Sequence, residues 1–174
     1  TLTNCAILSS FAIDGGAIHL STVGTIEVFH SSFVDSTAKA VGGGWAIRGG
    51  IVAIKQSSLI NSTALVAGGL SMTSGTLTIS EGSLVSGSRA TSSGGALSVS
   101  GGTTTIQNSS FVDSSAAQYA GAMYIDFGLV NVIDGSSIFD SYAGEYGGAV
   151  ALISGELTVS GSRSVRSCAQ RQGG

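Results

Sequence analysis

Apolar and polar residues alternate in a short segment that recurs along the chain about every 26 residues. The six copies are TIEVFH, IVAIKQ, TLTISE, TTTIQN, LVNVID and ELTVSG. They share an apolar column, which is Val28, Ile54, Ile79, Ile106, Val132 and Val159. A second, mostly apolar column two residues earlier is Ile26, Val52, Leu77, Thr104, Val130 and Leu157. Alternation with a period of two and one constant apolar side predicts a half-buried β-strand in each copy.

A second recurring segment begins with small residues and has the forms GGAI, GGAL and GGAV in three copies. Its first column, aligned over six copies, is Gly15, Gly44, Gly69, Gly94, Ala120 and Gly147. Three residues later this alignment gives the apolar column Ile18, Ile47, Met72, Leu97, Met123 and Val150. Small residues allow the backbone to turn tightly. We therefore predict a corner, followed by a strand that directs this apolar column into the interior.

The third recurring segment has the forms SFVDSTA, SLINSTA, SLVSGS, SFVDSSA, SIFDSYA and SVRSCA. Its apolar column is Phe33, Leu59, Leu84, Phe111, Ile138 and Val165. One copy cannot bury its apolar side alone, but stacked copies can. We therefore predict an all-β fold, a single-stranded parallel β-helix (solenoid) of about six coils, with about 26 residues and three strands per coil. The crossover preference of parallel strands predicts a right-handed helix.

The composition agrees with a solenoid and excludes several classes of function. The 174 residues fit one β-helix segment, 1–174, with 27 Gly, no Pro and only 10% charged residues. The net charge of −3 provides no basic field for a nucleic acid. The sequence contains no apolar run of about 18 residues, so it predicts no membrane-spanning helix. Thr1 stands in the middle of the repeat pattern, so we expect an interior fragment of a longer chain.

The motifs resemble the repeats of the chlamydial polymorphic outer membrane proteins, in which GGA[ILV] is followed later in the coil by FxxN. GGAI at Gly15, GGAL at Gly94 and GGAV at Gly147 match the first half, and FVDS at Phe33 and Phe111 is similar to the second. The resemblance covers nearly the whole chain and implies a right-handed β-helix displayed at a cell surface. In place of the family's Asn, this chain has Cys5, Ser36, Ser62, Gly87, Ser114, Ser141 and Cys168.

Cys5 and Cys168 are aligned in that column, six coils apart. At about 4.8 Å per coil they are separated by about 29 Å, whereas a disulfide requires Cα atoms within about 7 Å. The two cysteines therefore cannot pair with each other. Each is either a buried thiol that packs as a small apolar residue or the partner of a cysteine in a coil outside this chain.

The ionisable residues cluster at one place in the alignment. His19 and Arg48 share an outward column on adjacent coils, and Glu27 and Lys55 lie on the next strand. Many parallel β-helices are polysaccharide lyases or hydrolases, which need close carboxylates or a base supported by a cation. The simpler interpretation is a set of solvated surface residues. We predict no enzyme activity, no catalytic residue and no cofactor.

Asp113 and Asp140 lie one coil apart in one column and could chelate Ca²⁺. Asp35 and Asn61 share that column, and Asp and Asn are typical turn residues because they hydrogen-bond their own backbone. We therefore predict a column of turn residues and no metal site.

Two further features concern the surface. Trp45 replaces a small corner residue, either as a packing plug or as a platform on which a sugar ring stacks. The sequons Asn61-Ser62-Thr63 and Asn108-Ser109-Ser110 should face solvent, and in a secreted eukaryotic protein Asn61 and Asn108 would be N-glycosylation acceptors.

These observations favour an extracellular structural or adhesive segment: a cell-surface stalk, an adhesin passenger or a filament subunit. Bare strand edges promote aggregation, so we expect further coils, other domains or subunits to cover both ends, with a host surface or glycan as an additional ligand. The alternatives are a carbohydrate-active enzyme, a carbohydrate-binding surface and, less well supported, an ice-binding protein. Ice binding requires a regular Thr array, and the outward column is Glu27, Ala53, Thr78, Thr105, Asn131 and Thr158.

Overall fold

The computed structural model describes residues 1–21 and 23–171, and it confirms a parallel β-solenoid. The described chain contains 27 strands and no helix. Six coils have four strands each, and three strands of a further coil follow. The extra strand in each coil, relative to the prediction, is a segment of only two residues. The right-handed sense stays a prediction.

The strands of the first three coils are β1 (Leu2–Thr3), β2 (Ala6–Leu8), β3 (Phe11–Ala12), β4 (Ile18–Leu20), β5 (Thr25–Phe29), β6 (Ser32–Val34), β7 (Thr37–Ala38), β8 (Trp45–Ile47), β9 (Ile51–Lys55), β10 (Ser58–Ile60), β11 (Thr63–Ala64) and β12 (Leu70–Met72). The next three coils contain β13 (Thr76–Ser80), β14 (Leu84–Ser86), β15 (Arg89–Ala90), β16 (Leu97–Val99), β17 (Thr103–Gln107), β18 (Ser110–Val112), β19 (Ser115–Ala116), β20 (Met123–Ile125), β21 (Leu129–Ile133), β22 (Ser137–Phe139), β23 (Tyr142–Ala143) and β24 (Val150–Leu152). The last strands are β25 (Glu156–Val159), β26 (Arg163–Val165) and β27 (Cys168–Ala169).

Corresponding strands of successive coils form four parallel sheets. The first sheet, β1-β5-β9-β13-β17-β21-β25, has seven strands, as do the second, from β2 to β26, and the third, from β3 to β27. The fourth sheet, from β4 to β24, has six. In the first sheet Val28 pairs with Ile54, and the ladder continues through Ile79, Ile106 and Val132 to Val159, as predicted. The same strand pairings confirm the second predicted column of this sheet, which begins at Ile26.

The predicted alignment of the fourth sheet is wrong by two residues in two coils. Ile18 pairs with Trp45, and this ladder continues through Leu70, Leu97, Met123 and Val150. Ile47 and Met72 belong to the next inward ladder, with Leu20 and Val99. The error arose from the glycine run 42–44 and from Gly68-Gly69, which offer more than one alignment. Because side chains alternate with a period of two, both residues still point inward and are fully buried.

In the second sheet the predicted alignment slips by one residue in two coils. Val85 pairs with Leu59 and Phe111, and Ser164 pairs with Ile138. Leu84 and Val165, which were placed in the interior column, therefore face outward. A one-residue slip reverses the direction of every side chain, so this error matters more than the one in the fourth sheet.

The interior is apolar and continuous through the middle coils, but it opens at the ends. Val132 is 2% exposed, whereas Val159, its neighbour in the same ladder, is 56% exposed. Ile18 and Val150, in the first and last strands of the fourth sheet, are only partly buried. Val159 has the inward register that was predicted, and it is exposed because it lies in the last coil that the structure describes.

Residues in the left-handed conformation form the corners of the coil. One such column is Gly15, Gly42, Ala67, Gly94, Ala120 and Gly147. The residue that follows faces a different constraint: a Cβ at Gly95 would overlap the carbonyl oxygen of Gly121 in the next coil. The first residue of the motif thus needs a positive φ, which is 68° at Gly94, and the second needs the absence of a side chain.

A ladder of buried serines connects the coils just before the second sheet: Ser31, Ser57, Ser83, Ser109 and Ser136. The Ser57 hydroxyl accepts a hydrogen bond from the Ser31 N–H at 3.1 Å and donates one to the Lys55 carbonyl at 2.7 Å. Cys5 begins this ladder, since its N–H donates to the Ser31 hydroxyl at 3.1 Å. The hydroxyls of Ser31, Ser57, Ser83 and Ser136 thus satisfy backbone groups on two coils at a corner where the sheet is interrupted, whereas that of Ser109 bonds only to the Gln107 carbonyl of its own coil.

A second buried serine column lies just before the third sheet, at Ser36, Ser62, Ser88, Ser114 and Ser141. Ser88, not Gly87, occupies the fourth coil, which corrects the predicted column. The hydroxyls of Ser36, Ser62 and Ser88 have no hydrogen-bond partner among the described residues. This column therefore fills space without joining the coils.

Candidate functional site

The predicted ionisable cluster does not assemble. His19 pairs with Ala46 in the neighbouring strand, β8. Arg48 lies two residues after Ala46 and is therefore not opposite His19. Arg48 forms an ion pair with Asp14, and Lys55 pairs with Glu81 at 3.1 Å. Glu27 lies beside Ala53 and accepts a hydrogen bond from the Thr1 hydroxyl at 3.4 Å. Each cation of the predicted cluster is thus paired with an acid outside it.

All ion pairs of the described residues follow one pattern, which is a link between neighbouring coils. The pairs are Asp14–Arg48, Lys55–Glu81, Arg89–Asp113, Asp140–Arg166 and Glu145–Arg171. All lie on the surface, where an isolated ion pair contributes about 0–1 kcal/mol. The ion pairs link neighbouring coils along the outside of the solenoid, and they do not converge on one site.

Asp113 and Asp140 each face an arginine. The Arg166 guanidinium donates to both carboxylate oxygens of Asp140, at 2.6 and 2.8 Å. This hydrogen bonding, together with the positive charge, holds the pKa of Asp140 below its ordinary value. Asp35, Asn61, Asp113 and Asp140 all have a positive φ, between 50° and 55°, which Asn and Asp tolerate better than most residues. Among residues 1–21 and 23–171 no group of acids, His or Cys could hold a metal ion.

Asn61 and Asn108 are both exposed, as expected for acceptors of N-linked glycans. Each lies at a left-handed corner, with a φ of 54° and 44° respectively. The side chains therefore project from turns that interrupt the sheets. Glycosylation itself stays a prediction.

Cys5 and Cys168 lie in different columns, which corrects the predicted alignment. Cys5 belongs to the first serine ladder, whereas Cys168 pairs with Tyr142 in the third sheet. They occupy the first and the last coil, and both are free thiols. Cys5 is partly buried and Cys168 is exposed. Disulfides to a coil outside this chain stay a prediction.

Trp45 is buried, so it is not a sugar platform. Its ring packs edge-on against Phe33 with centroids 5.0 Å apart, and its ladder neighbours are Ile18 and Leu70. A cavity beside it has a volume of about 10 Å³, which is about the space of one water molecule. Trp45 is therefore a packing residue, and this cavity is too small for an organic ligand.

An aromatic cluster that the sequence analysis missed lies on the outside of the fifth and sixth coils. Tyr119 and Tyr146 are stacked, with centroids 5.7 Å apart and planes within 9°. Tyr124 is tilted by 43° against Tyr119 at 6.3 Å. We call Tyr119, Tyr124 and Tyr146 the tyrosine cluster. A signal was present in the sequence, since all four tyrosines of the chain fall between Tyr119 and Tyr146.

Burial and neighbouring charge act on this cluster. Burial raises the pKa of Tyr124, and the charges of Asp126 and Tyr119 raise it further. The Asp126 carboxylate is thus close enough to Tyr124 to affect it electrostatically. Tyr142, by contrast, lies outside the cluster, and its hydroxyl donates to the Gln170 side chain at 3.3 Å.

Comparison with known proteins adds no relative. None of the protein-family models matches the chain, and neither do any curated proteins or solved structures. In the described part of the chain, no helix has the length and apolar character needed to cross a membrane.

Proposed function

We propose that this solenoid is an extracellular structural or adhesive segment that acts as a stiff scaffold and not as an enzyme. The observation that carries the proposal is the continuity of the four parallel sheets through six successive coils. Hydrogen bonds between coils run along all four sheets, and the first serine ladder bridges one of the corners between them. Bending the rod would break bonds on several sides at once. Stiffness is what a stalk, a passenger or a filament subunit needs.

Two features support an extracellular location. Asn61 and Asn108 are exposed sequons, which would carry glycans in a eukaryotic secretory pathway. GGAI at Gly15 and its relatives resemble repeats of surface-displayed passengers. Expression in a glycosylating eukaryotic cell should therefore give a mass shift that an N-glycosidase removes, and an unshifted secreted chain would contradict the assignment as a glycoprotein.

We propose further that partners cover both ends: additional coils, other domains or subunits. The ends differ in charge, since the first coil, up to Leu20, contains Asp14 but no Lys or Arg, whereas 156–171 contains Glu156 and three Arg. Exposed apolar residues lie at both ends, among them Phe11 and Ile153. A suitable partner is therefore a strand edge whose inward side is apolar.

The scaffold function can be tested by measuring stiffness directly. Nitroxide labels at Cys168 and at Ser9→Cys, in a Cys5→Ser background, would report the distance between the first and last coils. Ser9 and Cys168 are both exposed, and six steps of about 4.8 Å separate their coils by about 30 Å. Pulsed dipolar spectroscopy should give one narrow distance distribution.

A matched control is the same labelled chain with a flexible Gly-Ser insertion at Gly101, in the turn between β16 and β17. It should broaden the distribution. A broad distribution in the chain without the insertion would refute the stiff scaffold.

A further inference from the structure

The tyrosine cluster stands out from a surface that is otherwise built of small residues. In its ladder Tyr124 lies between Ser98 and Ala151, and Tyr119 follows Ser93. Small neighbours cannot cover the aromatic rings from the coils above and below. Tyr119 and Tyr124 are therefore only partly buried, and Tyr146 is 37% exposed. The three rings lie in two columns of the fourth sheet and its preceding corner. In the second to fourth coils these columns contain only Ala, Ser or Val.

The polar groups of the cluster are available to a ligand. The hydroxyls of Tyr119, Tyr124 and Tyr146 form no hydrogen bond with the described residues, whereas that of Tyr142 does. Gln118 lies beside Tyr119 and accepts a hydrogen bond from the Ser92 hydroxyl at 3.0 Å. The cluster thus combines apolar ring faces with phenol groups, a carboxylate and an amide.

Size and charge restrict the class of ligand. A stable protein interface buries about 800 Å² per partner, which is more than three partly buried tyrosines expose. The Asp126 carboxylate next to Tyr124 would repel an anionic ligand. A small, uncharged molecule with both an apolar face and hydroxyl groups fits these conditions.

We propose that the tyrosine cluster binds a neutral saccharide unit. The C–H face of a sugar ring packs against Tyr124 and Tyr119, and its hydroxyls bond to the phenols and to Asp126. This inference rests on the adhesive part of the proposed function, because it gives the scaffold a ligand. Tyr146 precedes β24, the last strand of the fourth sheet, so a coil that covers this end would contact Tyr146. Tyr119 and Tyr124, which carry the proposed contact, lie one coil further from that end.

The test uses cellotetraose and N-acetylated chitotetraose as neutral probes. Saturation-transfer NMR should show contact between at least one of them and the whole chain, and calorimetry should give the affinity. Tyr124→Ala should weaken binding at least about tenfold, equal to about 1.4 kcal/mol. Tyr124→Phe keeps the ring and should retain most of the binding. Tyr142→Ala, which removes an exposed tyrosine outside the cluster, should bind like the unchanged chain.

Three results would overturn the proposal. The first is that neither oligosaccharide binds, and the second is equal affinity in Tyr124→Ala and Tyr142→Ala. The third is a change of sedimentation, without loss of sugar binding, in Tyr119→Ala or Tyr124→Ala, which would assign the cluster to a protein contact. The spin-label distance is measured separately, so the scaffold can be confirmed while the saccharide site fails, or the reverse.

Discussion

At the scale of single residues, the two positions that open the GGA motif have different physical requirements. The first needs a left-handed backbone, and Ala67 and Ala120 show that the chain tolerates Ala there, with a φ of 57° and 58°. The second lies against the next coil, where a Cβ at Gly95 would overlap backbone atoms of Gly121 and Ser115. The strict requirement for glycine in this motif therefore comes from close packing between coils at the second position, and less from the turn at the first.

This difference predicts the effect of Gly95→Ala. The added methyl group must push two coils apart, so we expect a loss of at least about 2 kcal/mol in the free energy of unfolding. Chemical denaturation followed by circular dichroism measures it. Gly24→Ala is the matched control, because the nearest atom to its added Cβ is a Leu20 methyl group at 3.8 Å. Equal stability of both variants would show that the coils do not pack as described.

The two serine columns predict opposite outcomes for the same substitution. Ser57→Ala removes the hydroxyl that bonds to the Ser31 N–H and the Lys55 carbonyl. The carbonyl keeps the His30 N–H as a donor, and the unpaired Ser31 N–H should cost about 1–3 kcal/mol. Ser88→Ala removes a buried hydroxyl without a partner, so the unfolding free energy should stay the same or rise. Both variants have the same composition, which makes each the control of the other. A larger loss in Ser88→Ala would contradict this division of roles.

The Arg166–Asp140 pair predicts a pH dependence. Since the pKa of Asp140 is lowered in the folded state, its contribution to stability is present above the unfolded-state pKa and is lost as pH falls through the folded one. Arg166→Ala should raise the pKa of Asp140 toward its ordinary value, which an NMR titration of the carboxyl group detects. Arg163→Ala is the control, because Arg163 lies over the Phe139 ring and not on Asp140. An unchanged pKa in Arg166→Ala would exclude the pair.

At the scale of strands, register is the property that the structure adds to the repeat pattern. In the fourth sheet Met72 pairs with Val99, which places Thr73 next to Ser100. The alignment by glycines instead placed Thr73 beside Ser98. Disulfide formation discriminates the two, since it requires Cα atoms within about 7 Å.

We therefore expect Thr73→Cys with Ser100→Cys to form a disulfide under mild oxidation, in a background with both native cysteines replaced by Ser. Thr73→Cys with Ser98→Cys should remain reduced, which mass spectrometry after alkylation shows. The reverse result would restore the alignment made from the glycines.

The comparison of sequence and structure explains which features a repeat pattern can predict. The first sheet was aligned correctly from Val28 to Val159 because apolar and outward residues alternate regularly in all six copies. The fourth sheet was not, because 42–44 contains three glycines and only backbone packing decides which of them is left-handed. The tyrosine cluster was not predicted, because its members come from two different columns and a search for columns of one residue type does not combine them. The Cys5 column was wrong for a related reason, since two serine columns have the same composition.

At the scale of the whole molecule, stability should vary along the axis. In a solenoid each coil contacts only its neighbours, so a coil with one neighbour has about half of the contacts that stabilise a central coil. The exposure of Val159, compared with the burial of Val132 in the same ladder, shows this loss directly. Local opening requires less free energy where fewer contacts must break.

Hydrogen exchange of the isolated chain should therefore be slowest in the fourth coil, at β13 and β16, and fastest in β25 and β26. Mass spectrometry of exchanged peptides measures this gradient without any substitution. A partner that covers the last coil would slow exchange at β25 and β26 and leave β13 unchanged, whereas a saccharide on the tyrosine cluster would act at β20. Uniform exchange along the isolated chain would mean that the coils open together, and the nearest-neighbour account of this rod would then be wrong.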